Sequence, residues 1–522
     1  MKNVTQTDDF LKYCRKRKLY LGLIFVLTLA VYGIWIMHDY VTFDAEGFYS
    51  IENGNFWYTQ WLILGRWFFV VLKKLLGVKL INPFFAIGIF LICFPLSSFI
   101  WGYVFACWTQ KSGRAGDLTV NCAQVIFDIL YLTHPVWAHQ YAYRNQMEVI
   151  TLVMVLLPVS LLITTKWLKN NSVFSGLVGF VLVVCCFSGY QSFVIVYLCA
   201  MVVYLFLQVL CDQVDHRGFW IQVLKICIFS LLAYMAYSIS GNLMCRIRHL
   251  DRGGYDAYLL SQIRWKTDPI SECIRSCGRY IKMVFLGDAD TFSCLYALEF
   301  VFGFILLIVS GIGKKLQAWK RFWIPVLFFG IFASALCLDM MTAGNAVIRQ
   351  EFAYVFSLAF VGMLDIALLF RLLNKVGNRS LAQLVCGVLL LVIGLNQMQT
   401  DTRLLFSDYR RATVDYEIFS ELYYDALEDG AAPGSALVFV GAHADPKEET
   451  TEKREIIGVS YLEILGLDDE KAMQAMQAYG FDISLPTDEQ KAYAASIADQ
   501  LGIWPSESAV RIEEGLIIVR LS

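Results

Sequence analysis

The chain has 522 residues, of which 57% are hydrophobic and 17% are charged, and its mean hydropathy is +0.55. Soluble domains contain about 25% charged residues, so this composition indicates a membrane protein. The net charge of −2 argues against a general nucleic-acid-binding surface. The sequence has no Walker-type glycine loop, HExxH or CxxC motif, which argues against nucleotide hydrolysis and a structural zinc site. We predict no cofactor, and nothing in the sequence indicates a divalent metal.

Basic residues precede the first apolar segment of the chain, which covers residues 19–37. This segment is about long enough for one membrane span. Because no small-residue cleavage site follows it, we predict a retained span and not a cleaved signal peptide. Lys and Arg cluster within residues 12–18, and the cytoplasmic flanks of spans are enriched in these residues. The sequence therefore predicts a cytoplasmic segment at residues 1–18 and an outer loop at residues 38–80.

The predicted first outer loop combines acidic residues with a periodic polar pattern. Asp39, Asp44 and Glu46 follow the first span closely. Such charges are often a solvated face or a helix cap, but they also suit an enzyme that acts at lipid headgroups. Polar residues then occupy positions 59, 66 and 73, a spacing of nearly two helical turns. This pattern predicts one interfacial helix over residues 57–76, with a spanning helix as the alternative.

The remaining apolar runs predict an α-helical polytopic membrane domain over residues 19–396. Its further spans are predicted at 83–108, 118–137, 149–165, 173–210 (two spans divided at 188–191), 219–244, 292–312, 322–338, 352–370 and 381–395. The short loops assigned to the inside are rich in Lys and Arg, as the positive-inside rule requires. The sequence thus predicts about eleven spans with the N-terminus inside and the C-terminus outside, and a long outer loop at residues 245–291.

Residues 397–522 have a different character. Helix-like stretches at 415–430, 470–480 and 489–502 alternate with a strand-like stretch at 435–443 and a hairpin-like stretch at 508–521. This alternation predicts a small extracellular α/β or α+β domain. His443 and Asp445 follow the first strand and are candidates for a functional pair, although a loop His and Asp are more often simply solvated.

Several short motifs resemble those of the bacterial multi-span membrane glucosyltransferases that modify O-antigen and other surface glycans. They are FDAEG at 43–47, GRW at 65–67, GYQS at 189–192, Arg349 after a late outer loop, and VFVG at the end of the predicted strand, 438–441. The layout of spans and outer loops resembles the wider GT-C-like class, which uses polyprenyl-phosphate sugars. The resemblance covers most of the chain in layout, but its motifs are short.

The resemblance implies transfer of a hexose, by analogy glucose, from a polyprenyl-phosphate donor to a surface glycan. The reaction would take place on the outer face of the cytoplasmic membrane, by an inverting mechanism. Membrane lipids, a small flippase and a donor-synthesising glycosyltransferase are the other partners that it implies.

In that class the first outer loop supplies the catalytic acid, which here means Asp44 or Glu46. The family often has two adjacent aspartates, whereas this chain has Asp44, Ala45 and Glu46, so the identity of the base stays open. A carboxylate can accept the proton of the acceptor hydroxyl. We favour Asp44 as this base.

The leaving lipid phosphate gathers negative charge, which guanidinium groups stabilise. Arg66, Arg144 and Arg349 belong to three different predicted outer segments and are the candidates for this role, although each alone also fits an interfacial snorkelling arginine. Tyr190 and Gln191 are the candidates for binding sugar hydroxyls, with an ordinary helix-start turn as the alternative.

Three other functions remain open from the sequence. The first is a transporter or flippase for a lipid-linked glycan, which usually carries charged residues in mid-membrane; here Asp128, Asp339 and Asp365 are predicted near span ends. The second is an acyltransferase or a polysaccharide polymerase or ligase, and a polymerase typically has its large outer loop late in the chain. The third is a non-catalytic scaffold, which leaves the pattern from Asp44 to Arg66 unexplained.

Overall fold

A computed structural model of the protein describes residues 6–49, 54–78, 82–109, 121–253, 262–287, 291–293, 295–310, 316–375, 379–443, 453–464, 470–513 and 515–522. Within these ranges, five helices are long and apolar enough to cross a membrane, and four shorter helices are also apolar. Helices satisfy their backbone hydrogen bonds internally, as lipid requires. The chain is therefore a helical membrane protein, while the span number of about eleven and the orientation stay predictions.

The helices of the first half are α1 (Gln6–Lys16), α2 (Lys18–Tyr32), α3 (Ile34–Met37), α4 (Glu46–Tyr49), α5 (Gly54–Ile63), α6 (Trp67–Leu75), α7 (Pro83–Thr109), α8 (Asn121–Leu132), α9 (Val136–Tyr141), α10 (Met147–Asn170), α11 (Val173–Gly189), α12 (Ser192–Leu210) and α13 (His216–Ile247). The later helices are α14 (Ile270–Leu286), α15 (Leu295–Val309), α16 (Ala318–Ala335), α17 (Cys337–Thr342), α18 (Phe352–Lys375), α19 (Arg379–Glu428), α20 (Lys471–Ala478) and α21 (Asp488–Ile497).

Burial separates the helices at the centre of the bundle from those at its rim. In α18, 94% of the most apolar window is buried inside the protein, whereas only 22% is buried in α13. Helix α18 packs against α8, α12 and α15. Leucines of α13 such as Leu224 and Leu231 are 61% and 62% exposed. Such exposure is unfavourable in water but suits a helix that faces lipid, so α18 forms the centre and α13 the periphery.

The break predicted at residues 188–191 is confirmed and has a steric cause. Helix α11 ends at Gly189 and α12 begins at Ser192. A Cβ added to Gly189 would lie 2.6 Å from Cγ2 of Val153, which is closer than real Cβ contacts. The glycine therefore allows α11 to approach α10 at this turn, and the turn carries Tyr190 and Gln191.

The single interfacial helix predicted at residues 57–76 is wrong, because the chain forms two helices there. Helix α5 ends in a turn where the Gly65 N–H donates to the Leu62 carbonyl and the Arg66 N–H donates to the Trp61 carbonyl, both within 2.9 Å. This is the Schellman arrangement, which needs a left-handed residue, and Gly65 has a φ of 77°. The predicted polar stripe also fails, since Lys73 is only 1% exposed.

The structure differs from other predicted boundaries as well. The segment predicted as a long outer loop at 245–291 contains α14, an amphipathic helix of 17 residues. The span predicted at 118–137 corresponds to α8, which ends at Leu132, and Pro135 then precedes the separate helix α9. Pro135 is the N-cap of α9, a boundary position where its missing N–H removes no helical hydrogen bond. Residues 118–120 lie outside the described residues.

One continuous helix replaces two predicted elements. Helix α19 has 50 residues and includes both the last predicted span, 381–395, and the predicted helix at 415–430. Its first part has exposed apolar side chains such as Leu391 at 61%. Its last part, around Phe419 and Leu422, is buried in the core of the C-terminal region. The helix therefore passes without interruption through the domain boundary predicted at residue 396.

The C-terminal region contains a three-stranded mixed sheet. Its strands are β1 (Ala436–Val440), β2 (Val510–Glu513) and β3 (Leu516–Arg520), in the order β1-β3-β2. Strand β3 pairs in parallel with β1 and antiparallel with β2. The predicted strand, the hairpin and helices in each of the three predicted helical stretches are present in the predicted chain order, so this region contains both helices and strands.

Candidate functional site

Asp44 lies at the tip of the first loop, immediately before α4. Its φ is 60°, in the left-handed region that Asp adopts more readily than most residues. The Ala45 N–H donates to the Thr42 carbonyl at 2.9 Å, and Asn145 Nδ2 donates to the Asp44 carbonyl at 3.0 Å. These bonds fix the turn and hold the Asp44 carboxyl at a defined place.

Glu46 is the first residue of α4 and is almost fully buried, with 1% of its side chain exposed. The Tyr461 hydroxyl donates to Glu46 Oε2 at 3.1 Å, and Lys471 Nζ lies 3.9 Å from Glu46 Oε1. The same ammonium lies 2.6 Å from Oδ1 of Asp44, whose side chain is 23% exposed. Lys471 therefore lies between two carboxyls that differ in their access to water.

The two carboxyls also differ in their electrostatic surroundings. Burial and, to a smaller extent, the charge of Asp44 raise the pKa of Glu46 to about 8, while the Lys471 ammonium opposes both effects. At neutral pH, Glu46 is therefore mostly protonated and can donate a hydrogen bond. Asp44 is ion-paired and partly open to water, so it is the better placed of the two to accept a proton.

Arg66 lies against the turn between α11 and α12. Its Nε donates to Gln191 Oε1 at 2.8 Å, and its Nη1 lies 3.4 Å from Gln146 Oε1. The guanidinium stacks over the Tyr190 ring at 4.5 Å. Gln191 in turn donates to the Leu64 carbonyl at 2.6 Å. The structure therefore brings Arg66, Tyr190 and Gln191 together in one polar group.

Arg349 connects this group with the acids. It lies in a short 3₁₀ turn, Ile348–Gln350, that precedes α18. Its guanidinium is 4.1 Å from the centre of the Tyr143 ring and donates a hydrogen bond to the Tyr143 hydroxyl. The groups that act electrostatically on Arg349 include Tyr143, Tyr190 and Asp44. Arg349 therefore lies within electrostatic range both of Asp44 in the first loop and of Tyr190 in the group around Arg66.

Arg144 has different partners from the other two predicted arginines. It is 1% exposed, donates to Asp39 Oδ1 at 3.2 Å and lies 4.2 Å from the centre of the Tyr40 ring. Its Nε and Nη2 have no hydrogen-bond partner among the described residues. The structure thus groups six of the predicted site residues and leaves Arg144 with Asp39; the six are Asp44, Glu46, Arg66, Tyr190, Gln191 and Arg349.

Four residues at this site were not found from the sequence. Tyr143 and Asn145 flank Arg144, and their proximity to a candidate arginine was an available signal. Tyr461 and Lys471 lie more than four hundred positions after Asp44, and no sequence pattern connects them to the first loop. Only the fold brings these two residues to the acids.

Acidic residues of the apolar helices also differ from expectation. Asp365 was predicted near a span end, but it lies well inside α18, which continues to Lys375, and it is 4% exposed. Asp128 lies within α8 and is fully buried. A Cβ added to Gly303 of α15 would lie 2.5 Å from Asp365 Oδ1. A small residue on the neighbouring helix therefore makes room for this carboxyl.

Other possible sites receive little support. In the described ranges, no group of three or more His, Cys, Asp or Glu side chains is placed to hold a metal ion. The His443 ring lies 4.7 Å from the Trp504 ring in an edge-on arrangement. Asp445 lies outside the described residues, so the predicted pairing with His443 stays a prediction.

Comparisons with known proteins place the chain in a family. No curated protein and no solved structure matches it. The family model described as "Glucosyl transferase GtrII" matches residues 40–366. These residues include the first-loop acids, the polar group around Arg66 and the Arg349 turn. The chain therefore belongs to the glucosyl transferase GtrII family and is a membrane glycosyltransferase.

Proposed function

We propose that the protein transfers a hexose, by family analogy glucose, from a polyprenyl-phosphate donor to a surface glycan. Transfer takes place at the outer face of the cytoplasmic membrane and inverts the anomeric configuration. The observation that carries this proposal is the single group formed by Asp44, Glu46, Arg66 and Arg349, because it combines carboxyls with guanidinium groups in the segments that flank apolar helices.

The two arginines supply the charge that a lipid-phosphate donor requires. Phosphate oxygens accept bidentate hydrogen bonds from guanidinium groups. Arg66 and Arg349 each lie over a tyrosine ring, at 4.5 and 4.1 Å, and this stacking limits the positions of their long side chains. A donor phosphate between them would be held while negative charge builds up on the leaving oxygen.

The carboxyls supply the base for the acceptor. The acceptor hydroxyl oxygen forms the new bond to the anomeric carbon, and the bond between that carbon and the phosphate oxygen breaks. Its electron pair stays on the lipid phosphate, and the hydroxyl proton passes to Asp44. Glu46, whose Oε2 accepts from the Tyr461 hydroxyl, is the second carboxyl of the site. Tyr190 and Gln191 are proposed to bind sugar hydroxyls.

The test uses the purified full chain in lipid vesicles with a surface-glycan acceptor. Radiolabelled glucose is offered either as polyprenyl-phosphate glucose or as a nucleoside diphosphate glucose, with polyprenyl-phosphate galactose as the competing sugar donor. We expect label to enter the glycan from polyprenyl-phosphate glucose, and nuclear magnetic resonance to show the inverted anomer. Transfer from the nucleotide sugar alone, or passage of the lipid-linked glycan across the membrane without transfer, would contradict the proposal.

A further inference from the structure

The family match ends at residue 366, yet two side chains at the acids come from beyond it. Tyr461 donates to Glu46, and Lys471 pairs with Asp44. The C-terminal region that carries them lies outside the part of the chain that the family defines. Its contact with the acids therefore raises the question of what it contributes.

The contact is an extended one. The Phe43 and Tyr461 rings are stacked, with centres 4.8 Å apart and planes 14° apart, and Lys471 Nζ lies 5.1 Å from the centre of the Phe43 ring. Val41, Phe43 and Tyr143 belong to one buried cluster with residues of the C-terminal region. The first loop thus shares a hydrophobic core with that region.

A second layer of polar contacts fixes Tyr461. Asp415, which is fully buried on α19, accepts from the Ser460 hydroxyl at 2.5 Å and from the Tyr461 N–H at 3.3 Å. Arg411 pairs with the same carboxylate at 3.4 Å. Buried polar groups need such partners. Asp415 therefore holds the backbone of Tyr461 and, with it, the position of the tyrosine side chain.

The same region also reaches the arginine side of the site. Glu455 Oε1 accepts the N–H of Ile348 at 2.7 Å, next to Arg349. One segment, residues 453–471 with its gap at 465–469, therefore contacts both the first-loop acids and the turn that carries Arg349.

We propose that the C-terminal region completes the transferase site, with Lys471 as the positioning residue that fixes Asp44 as the reacting carboxylate and Tyr461 as the positioning residue of Glu46. This inference rests on the proposed function and assigns a role to a region outside the family match. The lysine holds one oxygen of Asp44 in place, and the tyrosine orients the second carboxyl, Glu46.

A simple docking contact is the competing explanation. Exposed ion pairs contribute little to stability, and a docking pair needs no second acid. Here one ammonium faces two carboxyls, and one of these is 1% exposed. Such an arrangement is typical of sites in which neighbouring groups set protonation states.

The charged and titratable groups around Asp44 determine the test. Lys471 faces it from α20, Arg349 and Tyr143 act on it from the central bundle, and Glu46 lies beside it on its own loop. Lys471→Met removes the ammonium that lies 2.6 Å from Asp44 but keeps the length of the side chain, whereas Lys471→Arg keeps a cation there. Because the donor phosphate is assigned to Arg66 and Arg349, the loss of this positioning contact should appear in kcat rather than in KM for the donor.

The experiment measures kcat and the KM for polyprenyl-phosphate glucose with the full chain in vesicles of phosphatidylethanolamine and phosphatidylglycerol. For Lys471→Met we expect kcat to fall by about 10–100-fold, the scale of loss when a reacting group is misplaced, with little change in KM for the donor. Lys471→Arg should restore most of the wild-type kcat. Tyr461→Phe should lower kcat with little change in KM for the donor.

Lys491→Met is the matched control, since Lys491 pairs with Glu470 on the same region at 3.5 Å, and it should leave kcat and KM unchanged. An unchanged kcat for Lys471→Met, a rise in KM for the donor in place of a fall in kcat, or a loss that arginine does not restore would overturn the inference and leave the lysine as a structural contact. If the wild-type chain transfers no glucose from the lipid donor, the proposed function itself is wrong and the inference falls with it.

Discussion

Asp44 and Glu46 are two positions apart on the chain but occupy different surroundings. Asp44 extends from a left-handed turn and keeps 23% of its side chain exposed, whereas Glu46 begins a helix and is buried under Tyr461. Such a difference in surroundings is typical of carboxyl pairs with separate acid–base roles, which is the division of roles that the proposed mechanism gives to Asp44 and Glu46.

The base assignment is tested by Asp44→Asn and Glu46→Gln. Asp44→Asn keeps the size of the side chain but removes the basic oxygen, so turnover should fall by about 10²–10⁴-fold, the usual contribution of a general base. Glu46→Gln keeps a hydrogen-bond donor and should lose less. Radiolabel transfer by purified variants measures both, and a nearly active Asp44→Asn beside an inactive Glu46→Gln would move the base to Glu46.

Glu46 also predicts a pH dependence of stability. Its pKa is raised by burial from 4.5 to about 8, so the folded state holds its proton more tightly than the unfolded state. The associated stability is fully present below pH 4.5 and is lost as the pH rises towards 8. Thermal unfolding in detergent should show this decline for the wild type and a flatter curve for Glu46→Gln. Equal slopes for both proteins would show that Glu46 is not the group responsible.

Arg66→Lys tests the donor side of the site. Lysine keeps the positive charge but loses the planar guanidinium, which can bind Gln191 and the proposed donor phosphate at the same time. We expect KM for the lipid donor to rise at least tenfold while the protein stays inserted and folded. Arg264→Lys is a suitable control, because its ion pair with Asp268 at 2.7 Å lies outside the site. Unchanged donor kinetics for Arg66→Lys would exclude a phosphate contact.

How much of the site could be predicted depended on distance along the chain. Asp44, Arg66 and Gln191 lie in short local motifs, so their residue types were visible as a pattern. Lys471 and Tyr461 reach the acids only through the fold of the C-terminal region, and no local rule connects such distant positions. For Arg144, the sequence shows an arginine near a predicted membrane surface but not that Asp39 is its partner.

At the scale of elements, α6 is attached to the bundle by a buried ion pair. Lys73 and Glu148 are 1% and 2% exposed and form a salt bridge. The seven-residue spacing correctly included Lys73 in a series of polar positions but predicted that its side chain faces water. The error arose because the pattern contains no information about Glu148 on α10, which compensates the buried charge.

This ion pair gives a stability prediction. Lys73→Met leaves Glu148 buried without its partner, which costs about 3–5 kcal/mol, whereas the double variant Lys73→Met/Glu148→Gln should recover much of that loss. Lys74→Met, at the exposed neighbouring position, should change stability by less than about 0.5 kcal/mol. Thermal unfolding in detergent measures all three. Equal effects at positions 73 and 74 would contradict the burial of this pair.

At the scale of the whole molecule, the helical membrane class followed directly from composition and apolar runs. Helix ends and the number of spans were harder to predict from the sequence. Helix α19, for example, joins a predicted span to a helix of the C-terminal region without any break. Hydropathy changes near residue 397, but the backbone does not. Composition detects a change of solvent, whereas only backbone geometry detects the end of a helix.

The orientation is tested with reporters fused after Ser522. If the short basic loops lie inside, alkaline phosphatase at this position should be active and green fluorescent protein should be dark. Fusions after Arg217, in a predicted inner loop, should give the reverse pattern and serve as the control. A fluorescent C-terminal fusion would place the C-terminal region in the cytoplasm and would contradict the proposed outer site.

Helix α19 has a mechanical consequence. At 1.5 Å per residue its 50 residues extend for about 75 Å, far more than the roughly 30 Å of a bilayer core. The Tyr32 hydroxyl donates to Asp401 at 3.3 Å in the bundle, and Asp415 holds the backbone of Tyr461. One residue inserted between these anchors would turn the second relative to the first by about 100°. The helix therefore fixes the rotation of the C-terminal region relative to the bundle. The alignment of Lys471 with Asp44 depends on the number of residues between the two anchors.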